Sequence, residues 1–277
     1  SVIRSQGGII RHNTEVDEIL LSNGKASGVK TIDGSVLSAP LVISNADVGH
    51  TYDRLMRNHP KRRWSKKKLS RKRWSMSLYV WYFGTKGTAG LWQDVGHHTI
   101  LNGPRYEELL DDIFINGTLS DDMSLYIHRP ALTDPTVAPT GDDTFYVLSP
   151  VPHLGWDNGV DWNREEPKYR DKVTKQLETI IPGFRDHITT ETIFTPETFR
   201  DRYLSPFGSG FSLEPRILQS AWFRPHNISE EAKGLFLVGA GTHPGAGLPG
   251  VVASSEVLET MIPKLSKQVK DVRMAAE

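Results

Sequence analysis

The sequence contains no cysteine in its 277 residues. That excludes a disulfide framework, cysteine-ligated zinc and a thiol nucleophile, and leaves the redox compartment open. Charge of one sign is not in excess either, with 33 Lys and Arg against 33 Asp and Glu. Such a balance does not suit a chain held to nucleic acid by overall charge, and no nucleic-acid motif is present, so no nucleic-acid partner is expected. No run approaches the ~20 apolar residues that a membrane-spanning helix needs. A nucleophile elbow and a zinc-protease motif are both lacking, which argues against hydrolytic chemistry. What is there is a mixture of 38% hydrophobic and 24% charged residues, the composition of a packed chain long enough for about two domains.

The chain opens SVIRSQGGII, which reads as the last turn of a helix, a Gly7-Gly8 stop and a strand. A chain that begins with the end of a helix is expected to be a piece of a longer one. Short β-rich runs follow at Ile9–Arg11, Glu15–Leu21 and Val29–Ile32, punctuated by the hairpin signals Asn23-Gly24 and Asp33-Gly34. Leu41–Ile43 reads as a buried strand, followed by a helix from about Val48 to Arg57. Residues 57–73 then carry ten Lys/Arg and no acid. Residues 75–84, SMSLYVWYFG, form a strand apolar on both faces, hence covered on both sides. Helical spacing is visible at 106–114 and 165–181, strands at 123–128 and 144–148, and a Gly-, Pro- and aromatic-rich loop at 203–227. The layout is α+β in the middle, flanked at both ends by pieces of an α/β sheet.

The richest stretch is 234–255, GLFLVGAGTHPGAGLPGVVASS. A buried strand empties into a loop with five glycines and opens a helix from about Val251 to Met261. This is how an α/β fold presents bare backbone N–H groups and a positive helix end to an anionic or electron-rich ligand. The string Gly245-Ala-Gly247-Leu-Pro-Gly250 satisfies GxGxxG, but Ala240–Pro244 separate it from the strand and no strand-ending acid follows about 20 residues on. By itself the match leaves a plain glycine-rich turn open as an alternative.

The whole stretch resembles the signature of bacterial-type phytoene desaturases, which are carotenoid flavoproteins. SNADVGHTYDRL (44–55), SLYVWYFG (77–84), the GPRY from Gly103, LSPVPHLG (148–155), FTPETFRDR (194–202) and GFSLEPRILQSAWFRPHN (210–227) are similar to the same family. The resemblance runs over about residues 5 to 262. It implies the C-terminal portion of an amine-oxidase-like, Rossmann-type FAD-binding fold with an inserted substrate domain. Residues 1–46 and 228–265 would belong to the FAD domain, 47–227 to a substrate-binding, membrane-associated domain, and 266–277 to a tail. Val16 would lie along the adenine. Gly239, Gly241, Thr242, Leu248, Pro249, Gly250 and Val251 would sit near the ribityl chain and the pyrimidine edge of the flavin.

The implied reaction removes two hydrogens from adjacent carbons of phytoene, a long apolar carotene, towards neurosporene or lycopene. A quinone or oxygen would re-oxidise the flavin, and the protein would be cytoplasmic and peripheral at the inner membrane. A related desaturase, isomerase or ketolase on the same scaffold is the alternative enzyme, and a non-catalytic basic lipid- or nucleic-acid-binding module the alternative of another class. Two departures from the family pattern stand out. Ala240 occupies the place where an acid often binds the ribityl hydroxyls, and the strand–GxGxxG–helix that holds the pyrophosphate is absent from residues 1–46. The chain alone is therefore expected to bind FAD poorly and to be inactive. No catalytic base is singled out.

Other clusters carry two readings each. His97-His98 suggests a metal, but adjacent histidines point apart on a strand and no third ligand has useful spacing, so no metal is expected. His243 either orients substrate or flavin or bonds the loop backbone. Tyr79, Trp81 and Phe83 share one strand face that is either core or the lining of a hydrocarbon channel. The basic run, with Trp64 and Trp74 as interfacial indoles, is either a membrane-docking surface or merely solvated.

Overall fold

The structure is a computed structural model and describes residues 2–157 and 159–262. The expected tail at 266–277, and the last residues of the 228–265 segment, lie outside the described residues. In chain order the strands are β1 (Val16–Ser22), β2 (Lys25–Thr31), β3 (Val36–Ser38), β4 (Val42–Ser44), β5 (Ser77–Thr85), β6 (His98–Leu101), β7 (Leu125–His128), β8 (Asp143–Val151), β9 (Ile188–Phe194) and β10 (Leu235–Leu237). Among the described residues no helix is long and apolar enough to cross a membrane.

The chain divides into two compact units, Ser1–Arg73 with the segment from Pro215 onward, and Trp74–Glu214. These divisions fall at 73/74 and 214/215, and hydrogen bonds explain why the basic run belongs with the first unit. The Glu231 carboxylate accepts the backbone N–H groups of Arg62, Arg63 and Trp64 at 2.6–2.7 Å. Trp64 Nε1 donates to Glu230, and its ring stacks on Tyr52, 6.1 Å between centroids. The Tyr52 hydroxyl donates to Ser229 Oγ. Two acids distant in sequence thus fix the basic segment to the first unit.

In that unit Asn23 and Gly24 both take positive φ, 49° and 74°, and close the β1–β2 hairpin in two residues. β3 extends it to a three-stranded antiparallel sheet. β4 and β10 pair in parallel, Val42 opposite Leu235. The segment 227–229 bonds the other edge of β10, with Leu237 N–H donating to Asn227 and Ser229 N–H to Leu235. Held from both sides, Leu235, Phe236 and Leu237 are fully buried. The expected helix at 48–57 is a short α turn, Val48–His50, continued by a π turn, Thr51–Leu55. Ile9–Arg11 forms no strand.

The second unit is built on an antiparallel sheet in the order β6-β7-β8-β5-β9. One face buries Tyr79, Trp81 and Phe83 of β5 with Phe145, Val147 and Val151 of β8 and Leu125 and Ile127 of β7. The helix Trp162–Leu177 covers them because Trp162, Tyr169, Val173 and Leu177 recur on one side of it. Tyr79 meets Tyr169 edge-on at 5.0 Å, and Phe83 stacks on Phe145 at 5.1 Å. This face is therefore packed core rather than a channel lining. Arg129 is buried in it, donating to Asp143 at 2.6 Å and to the carbonyls of Leu91, Trp92 and Val95. The opposite face of β5 is only partly covered: Leu78 and Val80 are buried, but Tyr82 is exposed.

Candidate functional site

β10 delivers the chain into the glycine loop of the first unit. Gly239 takes φ 104°, and a Cβ there would lie 2.7 Å from Asn45 Oδ1, so only glycine fits. Its N–H donates to Ser254 Oγ at 2.9 Å, and that hydroxyl donates to Val251 O at 2.6 Å. The fully buried Thr242 donates to His243 O at 3.0 Å and accepts from Asn227 Nδ2, also at 3.0 Å. The same Asn227 amide reaches the carbonyls of Leu237 and Ser254 at 3.3 and 3.2 Å. One buried asparagine thus ties together strand, loop and helix.

Past this anchor the loop presents bare main chain. The N–H groups of Gly241, Ala246 and Gly247 find no acceptor among the described residues. Gly247 takes φ 93°, and nothing stands within 4 Å of the place a Cβ would occupy. The helix Leu248–Glu259 opens one turn earlier than expected, with Leu248 81% exposed. Beneath the loop lies Arg224, buried, its Nη2 donating to Ala240 O at 2.6 Å and its Nη1 to Gln219 O at 3.4 Å. Burial pulls the Arg224 pKa below its ordinary value, and the Asp47 carboxylate opposes that pull. Guanidinium and helix N-terminus together make a positive floor under unshielded donors. An electron-rich, planar edge fits such a cradle.

Of the residues expected at the flavin, Gly239, Gly241, Thr242, Leu248, Pro249, Gly250 and Val251 lie together on this loop and first helical turn. Gly239, Gly241 and Thr242 are buried, Leu248 and Pro249 exposed, and Gly250 and Val251 half-buried. Val251 N–H is already bonded to Gly247 O. The half-buried Val16 starts β1 opposite Thr31, and no hydrogen bond among the described residues joins it to the loop. His243 N–H donates to Pro225 O, while its ring is exposed. Arg224, Asn227 and Ser254 were not singled out from sequence. Arg224 and Asn227 fall in the Gly-, Pro- and aromatic-rich loop and in the family-like stretch 210–227, which were the available signals.

Two further surfaces bear on ligands. On the partly covered face of the second unit, Tyr82 meets Tyr146 at 5.2 Å and Phe194 at 5.4 Å. Burial, with Tyr82 and Tyr126 nearby, pushes the Tyr146 phenol up to about 12. In the first unit, Arg63, Lys68, Arg71 and Lys72 line a cavity of about 420 Å³ with Leu218 and Phe223. Trp64 and Trp74 are buried, so they are not the interfacial indoles expected beside the basic run. The exposed apolar neighbours are instead Ile217, Leu218 and Trp222, the last 73% exposed. The histidine expectation also changes: His97 precedes β6 rather than lying on it, and its ring approaches His98 to 4.3 Å.

Comparison with known proteins identifies the relatives. The chain is 66% identical over 268 residues to a neurosporene-forming phytoene desaturase of Rhodobacter capsulatus, covering 96% of the chain and 51% of the relative. It is 62% identical over 280 residues to the neurosporene-forming enzyme of Cereibacter sphaeroides, covering 100% of the chain and 54% of the relative. By sequence, the chain is a homologue of the bacterial phytoene desaturases. A lycopene-forming phytoene desaturase of Pseudescherichia vulneris is 47% identical over 92% of the chain and 51% of its own length. The chain spans about half the length of the curated relatives it matches. No family model matches. Among solved structures, an oxidoreductase from Methanosarcina mazei aligns with TM-score 0.62 at 20% identity, over 93% of the chain and 51% of that protein. That likeness concerns the fold alone, a mixed α/β architecture.

Proposed function

We propose that the chain carries the glycine-loop half of an FAD site and the substrate-bearing sheet of a phytoene desaturase forming neurosporene or lycopene. The observation that carries this reading is the 66% identity to a neurosporene-forming enzyme over 96% of the chain. The bare loop supports it physically. Gly241, Ala246 and Gly247 would offer N–H groups to the flavin, Gly247 and Gly250 would let it approach the backbone, and Asn227 and Ser254 would hold the loop in shape. Arg224 and the helix N-terminus would favour the negative charge that gathers on the ring edge. When bound, FAD supplies a two-electron acceptor for a hydride leaving an allylic carbon; the adjacent carbon loses a proton, and the single bond between them becomes double.

This chain's part is to hold, orient and exclude water. The half-covered aromatic face around Tyr82, Tyr146 and Phe194 suits a long apolar polyene. Phytoene dissolves in lipid, so peripheral docking at the inner membrane belongs to the same reading. Four cations line the cavity with Leu218 and Phe223, and each Lys or Arg near anionic headgroups is worth about 1 kcal/mol. A quinone or oxygen would re-oxidise the flavin.

The chain, joined to the half of the Rhodobacter relative that it does not cover, is expressed in a phytoene-accumulating host. Coloured, conjugated product is the expected outcome. Phytoene left unchanged, with the joined protein folded and present, defeats the proposal.

A further inference from the structure

The pairing of β6 with β7 sets His98 directly opposite His128. His97, one residue before β6, turns its ring back, and its Nε2 stands 2.8 Å from His128 Nε2. One ring nitrogen from each of the three histidines lies within 4.8 Å of the others. An ion 2.0–2.1 Å from each nitrogen in tetrahedral geometry would hold the nitrogens about 3.4 Å apart, inside the spread seen here.

Two of the rings have a side-chain partner at Nδ1. Thr133 Oγ1 is 2.6 Å from His97 Nδ1, and the Tyr126 hydroxyl is 2.7 Å from His98 Nδ1. Partners at Nδ1 orient a ring and leave Nε2 for a ligand, as in metal sites with an ordered outer shell. Without a cation, one of the two Nε2 atoms carries a proton and donates to the other at 2.8 Å. A divalent ion would take the place of that proton.

We propose that His97, His98 and His128 form a three-histidine site for a divalent cation of the Zn2+ class, clipping the β6 edge of the sheet to its neighbour. Imidazole ligands select such ions over Mg2+ and Ca2+. With His98 exposed, a water can complete the shell. The site is independent of the glycine loop, and its role is to fasten the edge strand rather than to perform chemistry.

The test uses the untagged 277-residue chain, stripped with chelator and titrated with Zn2+ by calorimetry, with Mg2+ as comparison. One Zn2+ per chain is expected, with none in His128→Ala or His97→Ala. Thr133→Val, which keeps all three ligands, is expected to bind about tenfold more weakly. If the alanine variants do not fold, imidazole proton resonances of the wild-type chain replace them: three histidines should shift together on one equivalent of Zn2+. Unchanged Zn2+ binding in folded His128→Ala, shifts confined to other histidines, or no stoichiometric binding by the wild type overturns the proposal.

Discussion

Among the described residues each unit buries one arginine, Arg129 at 1% and Arg224 at 2% exposed, and the two are held differently. Arg129 is closed in on every side: an ion pair to Asp143, three carbonyls, and the Phe145 ring 5.6 Å from its guanidinium carbon. Arg224 donates to the carbonyls of Ala240 and Gln219 and lies under a loop whose upper side is bare. The first arrangement finishes a core. The second supports a surface without covering it, which is what a cofactor cradle requires.

The largest expected effect breaks the closed arrangement. Arg129→Met leaves the Asp143 carboxylate buried without its cation and should cost about 3–5 kcal/mol in urea unfolding. Arg129→Met with Asp143→Leu should recover much of that, because both charges are then gone. A single variant as stable as the wild type would show that the pair is not buried as described.

Asn227→Ala sharpens the comparison from the open side. It frees the Leu237 and Ser254 carbonyls and the Thr242 hydroxyl, and should cost about 1–3 kcal/mol for buried polar groups left unmet. In the joined protein it should also lower flavin retention, which Arg129→Met with Asp143→Leu should not.

Alkaline titration probes the aromatic face of the second unit. The Tyr146 pKa is raised by burial, so its neutral form favours the folded state. That contribution is whole below the ordinary value of 10 and is lost as pH rises towards about 12. Tyr146→Phe should flatten the fall in stability over this window, read from urea midpoints against pH.

The smallest effect on stability is expected at the proposed docking surface. Trp222→Ser with Ile217→Ser should change unfolding by less than about 0.5 kcal/mol, yet reduce co-sedimentation with vesicles rich in anionic lipid. Unaltered sedimentation would remove these residues from the docking surface.

Local chemistry made much of this legible in the sequence. The Asn23-Gly24 turn, the all-apolar β10 and the glycine loop each declare themselves within a few residues. β9 did not, because ITTETIF at a sheet edge keeps four successive residues exposed and carries no clean apolar alternation. The helix at 48–57 was placed, but not its π continuation. Arg224, Asn227 and His128 escaped for a different reason. Their partners lie 10–31 residues away, and only strand register and loop closure bring them together. The packing of the basic run was illegible for the same reason, since Glu230 and Glu231, about 170 residues on, decide where it packs.

The most direct measurement is the flavin absorbance of the purified joined protein, wild type against Gly247→Val. A valine at this positive-φ position would place its side chain over the open face of the loop. Yellow wild-type protein and a folded variant that has lost its flavin are the predicted result. Equal flavin in both, or a folded wild type that stays colourless with FAD supplied, would contradict the assignment of this loop.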